Sequence, residues 1–488
     1  MGESKSNIVG ILAIILSAAG LGLGGYVFIS DLIVGEIQGP PGQDGQDGVD
    51  GVDGIDGMDA PGYYCASALE LQQTLDSIGD ASGVITITND IALYGQINIS
   101  GGGTYVIQGQ SPAITIHSEG DWMSFNISNA LYCRIQNLIL NITDVITNSK
   151  AIINIEENNN NPVYIENIQI SRDSGTAGRG INILSDDVRV KNCYMNQIYN
   201  AIYQPTGGGN YAEISDNVIS GCVSYAVSVN GDYNNIHSNK FEACSDFAIY
   251  LGSSSDFNTI TDNLLNNTDR GIELSFSSNN TIIRNEIYSL SGFPAIYIFG
   301  AGSQDNIVSE NHISGTPQAG ISLNGYYNIV TSNHISYAQY GIYAGITGGD
   351  NVLTENSIQN CDSGIYVTRP YTSITGNYVK DVFYGGITVI SNGDNSVISG
   401  NIVRNLAANY SGNRYGIYIN TQYCTISGNG VYSCYNDDAS NDAYGFGIGA
   451  DGDNCIIYGN VAYDNDFSFY LDAGALNVIG GATTNQFP

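Results

Sequence analysis

The sequence predicts an all-β solenoid, a stack of short strands wound coil upon coil, and three observations predict it. Asn, Ser, Thr, Tyr, Ile and Gly dominate the 488 residues, which suits strands and turns. One Asn recurs every 21 to 31 residues from Asn137 to Asn460. Each period carries short apolar runs and, beyond one short segment, no sustained 3.6-residue pattern. The formal net charge is −33, with 47 acidic against 14 basic residues. A chain so poor in Lys and Arg repels phosphate backbones, which excludes nucleic acid as a partner.

Residues 1–7 read as a short cytoplasmic tail. Ile8 to Ser30 is uncharged for 23 residues, long enough to cross a bilayer at ~1.5 Å per residue. Lys5 precedes it, and Asp31 and Glu36 follow, so the remainder is expected outside the cell. A signal peptide cleaved near Ser17 and Ala19 is the rival reading. Residues 31–62 form a spacer with Gly at every third position from Gly39 to Gly57, opening Gly-Pro-Pro-Gly and continuing Gly-x-Asp. That period is what the crowded axis of a collagen triple helix requires. It implies a trimer, but six unneutralised Asp equally describe an extended, self-repelling linker.

Residues 63–132 read as a cap and the first rungs. Ser67-Ala68-Leu69-Glu70 is a capping box, Ala68, Leu71, Leu75 and Ile78 share one helical face, and Gly79 stops the helix. Residues 133–488 are the repeats. Three residues before the Asn, from the fourth repeat on, stand Ile214, Ile236, Ile260 and their successors to Ile457, all apolar. Farther along each repeat a small residue precedes a β-branched one, from Ala226-Val227 to Gly447-Ile448. No repeat buries its apolar face alone, so stacking creates the core. Fourteen Asn at ~4.8 Å per coil make a rod of about 60 Å, with the amides bonding up and down the column.

The capped start, the Ile-Ser-x-Asn-x-Ile rung and the Gly-Ile rung resemble the right-handed parallel β-helix proteins of the pectin-lyase-like superfamily, over residues 63 to about 480. The resemblance implies a right-handed parallel β-helix of about 14 or more coils. The superfamily includes polysaccharide lyases, hydrolases, epimerases, adhesins and surface proteins, so it specifies fold better than function. Tail, span, collagen-like run and β-helix together are similar to cell-surface proteins predicted in archaea.

Register lets distant residues be placed side by side. Glu166, Lys191 and Asp216 are expected on successive coils, as are Asp262, Arg284 and Glu310. Asp186, Asp187, Arg189 and Lys191 are the catalytic candidates, since paired carboxylates near a base suit a polysaccharide lyase or hydrolase. Such rows also serve as exposed ion pairs. His312 and His334 are expected to face outward on adjacent coils, and Asp437, Asp438 and Asp442 crowd one loop; these are the metal candidates, with calcium as the ion. Tyr250, Tyr297, Tyr343, Tyr366 and Tyr418 recur just after the small-plus-apolar pair, interrupted by Glu273, Ser322 and Thr388. Outward rings on a rigid face suit sugars or a neighbouring subunit.

Nine Cys follow the register too. Cys222 and Cys244, and Cys424 and Cys455, fall on adjacent coils within disulfide reach, and an odd count leaves one thiol over. Six sequons begin at Asn98, Asn126, Asn141, Asn266, Asn279 and Asn409. The expectation is an externally displayed, membrane-anchored structural or adhesive β-helix that contacts glycans or neighbouring subunits of a surface layer or filament. A polysaccharide lyase, hydrolase or epimerase is the alternative.

Overall fold

The computed structural model describes residues 60–118, 124–142, 150–156, 161–172, 177–345, 347–406, 414–434, 443–449, 451–471 and 478–479. All lie in one compact unit, Ala60–Pro488. The expected tail, membrane span and most of the collagen-like spacer lie outside the described residues. Among the described residues, no helix is long and apolar enough to cross a membrane.

The chain opens with a strand, Gly62–Cys65, and a helix α1, Ala68–Ile78. Ser67 is the N-cap: its Oγ accepts from the Glu70 amide at 3.3 Å. The Glu70 carboxylate accepts from the Ala66 amide at 2.7 Å, closing the reciprocal box. Leu71, Leu75 and Ile78 are buried and Gly79 ends the helix at φ +55°.

Among the described residues every strand pairing beyond α1 is parallel, and the strands fall into three sheets that follow one another around about 15 turns. The first sheet runs from Gly62–Cys65 through Val188–Lys191 and Thr259–Thr261 to Val478–Ile479. The second runs from Ile91–Leu93 to Val461–Tyr463, and the third from Ile97–Ile99 to Phe467–Leu471. In the short strands the central residue turns inward and its neighbours turn outward. Ile236, Ile260, Ile282 and Val308 therefore stack at 0% exposure, forming the core that no single coil could bury. The small residue just before the inward apolar residue of the third-sheet strand has a steric reason. A Cβ on Gly341 would meet Ile358 Cγ2 at 2.4 Å.

The buried Asn column is continuous from Asn217 to Asn460. Asn239 is typical: its backbone N–H and its Nδ2 both donate to Asn263 Oδ1 at 3.0 Å, and Nδ2 also reaches the Ile214 carbonyl at 2.8 Å. A second ladder, Asn234–Asn258–Asn280–Asn306–Asn328–Asn351, lines another corner.

Two register expectations need correction. Asn137, Asn167 and Asn192 are not rungs of the ladder; they occupy left-handed corners at φ 52–57°. Asn192 therefore stands opposite Asp216, and Cys193 opposite Asn217, whose Oδ1 accepts from the Cys193 amide at 2.9 Å. Likewise Gly447-Ile448 is not the pair in this column: the register puts Gly445-Phe446 there, since Phe446 faces Ile417 on one side and Phe469 on the other, while Gly447 faces Tyr418.

Candidate functional site

Two outward columns run along the third sheet, three residues apart. One carries Tyr250, Glu273, Tyr297, Ser322, Tyr343, Tyr366, Thr388 and Tyr418 in unbroken register. The other carries Phe247 opposite Arg270, and farther on Tyr340, Tyr415 and Tyr444. The five expected tyrosines thus share one face. Each is half-buried, because rings of the two columns pack together. Tyr343 stacks on Tyr366 with centroids 5.8 Å apart, and Tyr415 on Tyr418 at 4.4 Å.

Between these columns a groove of about 290 Å³ opens, lined among others by Phe293, Tyr297, Gln318, Asn324, Gln339 and Tyr343. Its polar edge is fixed. The Tyr297 hydroxyl donates to Asn324 Oδ1 at 2.9 Å, and Asn324 Nδ2 donates to the Gly345 and Leu323 carbonyls at 3.0 Å each. Gln318 Nε2 donates to the Gly292 carbonyl at 2.8 Å. Aromatic faces beside amides and a hydroxyl, with no cation among the lining residues, are complementary to an uncharged hydroxyl-bearing chain.

One rung from Tyr297 stands a charged cluster that sequence reasoning recorded only as a gap in the tyrosine row. Arg270 lies 3.5 Å from the Phe293 ring centroid and 4.5 Å from that of Phe247. Its Nε is 3.0 Å from Asp246 Oδ1, at an angle suiting an ion pair rather than a hydrogen bond. Its Nη1 is 3.7 Å from Glu273 Oε2. Burial pushes the Glu273 carboxyl up to about 7, with Arg270 opposing and Asp246 adding to the rise. Asp246 is raised as well, first by burial, against the pull of Arg270. Removing carboxylates from water disfavours their charged form, and the 3.7 Å Arg270 contact does not offset that for Glu273. The legible signal was a carboxylate in a column otherwise aromatic or hydroxyl-bearing.

The catalytic candidates do not converge on this groove; they belong to the first sheet and its corner. Asp186 Oδ1 accepts from the Asn210 amide at 2.5 Å, Asn210 Oδ1 from Asp232 at 2.7 Å, and Asp232 Oδ1 from Asp256 at 2.8 Å. Asp187 is the left-handed corner residue at φ 56°. Arg189 pairs with Glu213 at 3.4 Å and Lys191 with Asp216 at 3.5 Å. Lys191 nevertheless stands opposite Ser215, which corrects the expected Glu166–Lys191–Asp216 row. The second row is in register, and Arg284 Nε reaches Asp262 Oδ1 at 2.9 Å.

His312 and His334 are adjacent, with ring centroids 5.0 Å apart. His334 is held below its ordinary value by burial, then by His312 and Lys380. Among the described residues, no three metal-ligating groups come together. Asp437, Asp438 and Asp442 lie outside the described residues, as does Asn409. Of the other sequons, Asn98 and Asn279 are exposed and Asn141 and Asn266 half-buried. Asn126 is buried, with both atoms of its amide engaged. It is 6% exposed, donates to Glu156 at 2.6 Å and accepts from Asn154 at 2.7 Å.

All nine cysteines are buried thiols, so neither expected bridge is formed in the structure. The register is as expected, and the two thiols of each pair face each other on adjacent coils. Cys222 is raised by its neighbour Cys244 and by burial, and Cys424 by its neighbour Cys455 and by burial.

The family described as "Right handed beta helix region" matches residues 151–291 and 274–403, together more than half of the chain. The chain belongs to that family. No curated protein matches it. Solved structures of similar fold include a PL6 alginate lyase complex with trisaccharide, at 12% identity over 68% of this chain and 86% of that one, TM-score 0.49. A mutant tailspike protein of E. coli bacteriophage HK620 matches at 15% identity over 83% and 77%, TM-score 0.49. At such identities and TM-scores neither match carries an argument about this chain.

Proposed function

We propose that this protein is a cell-surface β-helix that holds a neutral, hydroxyl-rich polysaccharide along the aromatic face of its third sheet. The observation that carries the reading is the groove: registered tyrosine rings beside the Asn324 and Gln318 amides, with no lining cation. Half-buried rings on stacked strands have little side-chain freedom left to lose on binding. Acidic glycans are disfavoured, because Asp246, Glu273 and a −33 chain repel them. Residues 8–30 as anchor and 31–62 as spacer would display the β-helix outside the cell, as a trimer if the spacer forms a triple helix. The test is retention of the full chain on insoluble neutral β-glucan and on alginate, with and without added salt. Salt-independent retention on the neutral polymer is expected. Retention only on alginate, or loss of retention with salt, would overturn the reading.

One observation favours a second reading, a glycoside hydrolase. Glu273, with a pKa of about 7, is poised near neutrality as a general acid, and Asp246 is the second carboxylate. Here Glu273→Gln abolishes release of reducing ends while retention persists. A wild-type chain that retains glycan without releasing reducing ends rejects hydrolysis and leaves binding intact.

A further inference from the structure

The outward face of the first sheet changes character midway. On its earlier coils it carries Arg134, Glu166, Arg189, Lys191 and Glu213, paired as Arg134–Glu166 at 3.7 Å and Arg189–Glu213 at 3.4 Å. From Thr259–Thr261 to Ile456–Tyr458, nine successive coils place only Thr, Ser, Ile, Val or Tyr at both outward positions. No charged side chain interrupts them. Ile307, Ile329, Val397 and Ile456 are among the exposed large apolar residues. The second sheet shows no such exclusion, with Lys240, Glu242, Glu286, Lys380 and Arg404 facing outward. Beside the uncharged strip, Tyr327, Tyr371 and Tyr423 sit exposed at corners with φ 57–59°. Asn395 and Asn454 fill the same corner on other coils, in a conformation that disfavours bulky residues.

We propose that this strip is a lateral contact between two copies of the chain, packed face to face. Charge selects the occupant. Two chains of −33 repel except where uncharged faces meet, and this strip lets them approach with Asp262, Asp305, Glu310, Asp350 and Glu355 at its rim, joined there by Arg284, which pairs with Asp262 and donates to Thr261 Oγ1 at 3.1 Å. Period selects it too. Side chains repeating every ~4.8 Å interdigitate over the full length only with a surface of the same period, which a second copy supplies. Nine coils by two uncharged outward columns span about 38 Å by 12 Å, roughly 450 Å² per partner, well below the ~800 Å² of a standard stable interface. The contact is therefore concentration-dependent, and it is self-complementary about a two-fold axis. It does not depend on what the third-sheet groove binds.

The test is sedimentation velocity of the full chain in neutral detergent at about 50 and about 500 mM NaCl, which screens the repulsion. Association strengthens with salt, and the Ile329→Lys, Val352→Lys double variant weakens it by roughly tenfold or more. Ser357→Lys on the second sheet leaves it unchanged. A spin label on Thr354→Cys gives dipolar coupling between chains, and this covers the case of a misfolded Lys variant. Absence of association, weakening with salt, insensitivity to the Lys pair in a folded chain, or no interchain coupling would each overturn the proposal.

Discussion

Replacing Asn333 with Ala tests whether the amide ladder holds the coils together. The Asn333 Nδ2 donates to the Val308 carbonyl at 2.9 Å, the Thr331 carbonyl at 3.0 Å and Asn356 Oδ1 at 3.0 Å. Its Oδ1 accepts from the Asn311 amide at 3.0 Å and from Asn311 Nδ2 at 2.9 Å. Asn333 is 1% exposed, so water cannot replace what is lost. Some bonds have substitutes: Asn311 Nδ2 keeps the Ile282 and Ser309 carbonyls at 3.0 Å, and Asn356 Oδ1 keeps the Asn333 amide at 3.1 Å. The Asn311 backbone N–H loses its ladder acceptor, and the Val308 carbonyl loses its side-chain donor. At about 1–3 kcal/mol for each buried group left unsatisfied, the cost of the two is about 2–6 kcal/mol. Solenoids need not unfold as one unit, so the suitable assay is hydrogen exchange followed by mass spectrometry. Protection of the peptide containing Asn311 should fall by roughly 30-fold or more, while peptides several coils away change little. An effect below about 1 kcal/mol, matching Ser332→Ala at the neighbouring exposed corner, would refute the ladder as a source of stability.

Glu273 makes stability depend on pH with a definite sign. Its folded pKa of about 7 lies above the ordinary 4.5, so the folded state holds the proton that the unfolded state has released. Stability is therefore full below about 4.5 and declines as pH rises through about 7. Comparing the melting temperature of Glu273→Gln with that of wild type from acid to neutral pH should show the variant losing this decline; parallel curves would contradict it. The Cys222–Cys244 and Cys424–Cys455 thiols should join under oxidising conditions. Non-reducing peptide mapping of protein from an oxidising compartment should recover both bridges, and complete alkylation of all four would remove the expectation.

Much of the architecture was legible because a solenoid repeats its constraints. The inward apolar residue three before each ladder Asn marks one strand, and the small residue followed by an inward apolar one marks another. What misled was that Asn serves two physical roles. At Asn192 it relieves a left-handed corner, and at Asn217 it feeds a buried amide ladder; a period of variable length cannot tell these apart by spacing alone. The second ladder escaped notice because Asn234, Asn258 and Asn328 follow aromatic corner residues that vary from coil to coil. The tyrosine row was legible as a column. The significance of Glu273 was not, because its rise comes from burial and from Asp246 on the neighbouring coil, against the pull of Arg270. Asp186 and Asp187 attracted a catalytic reading as a paired-acid phrase, whereas their oxygen and backbone geometry belong to a turn.

The most direct test of the central claim is the affinity of the full chain for a neutral polysaccharide, measured for two double variants alongside wild type. Tyr343→Ser with Tyr366→Ser removes two stacked rings beside the groove without touching the core. Asp186→Asn with Asp187→Asn alters only the corner of the first sheet. The account predicts that the tyrosine pair weakens binding by roughly tenfold to a hundredfold while the aspartate pair leaves it unchanged. Full affinity in the tyrosine variant, or loss of binding in a folded aspartate variant, would contradict it.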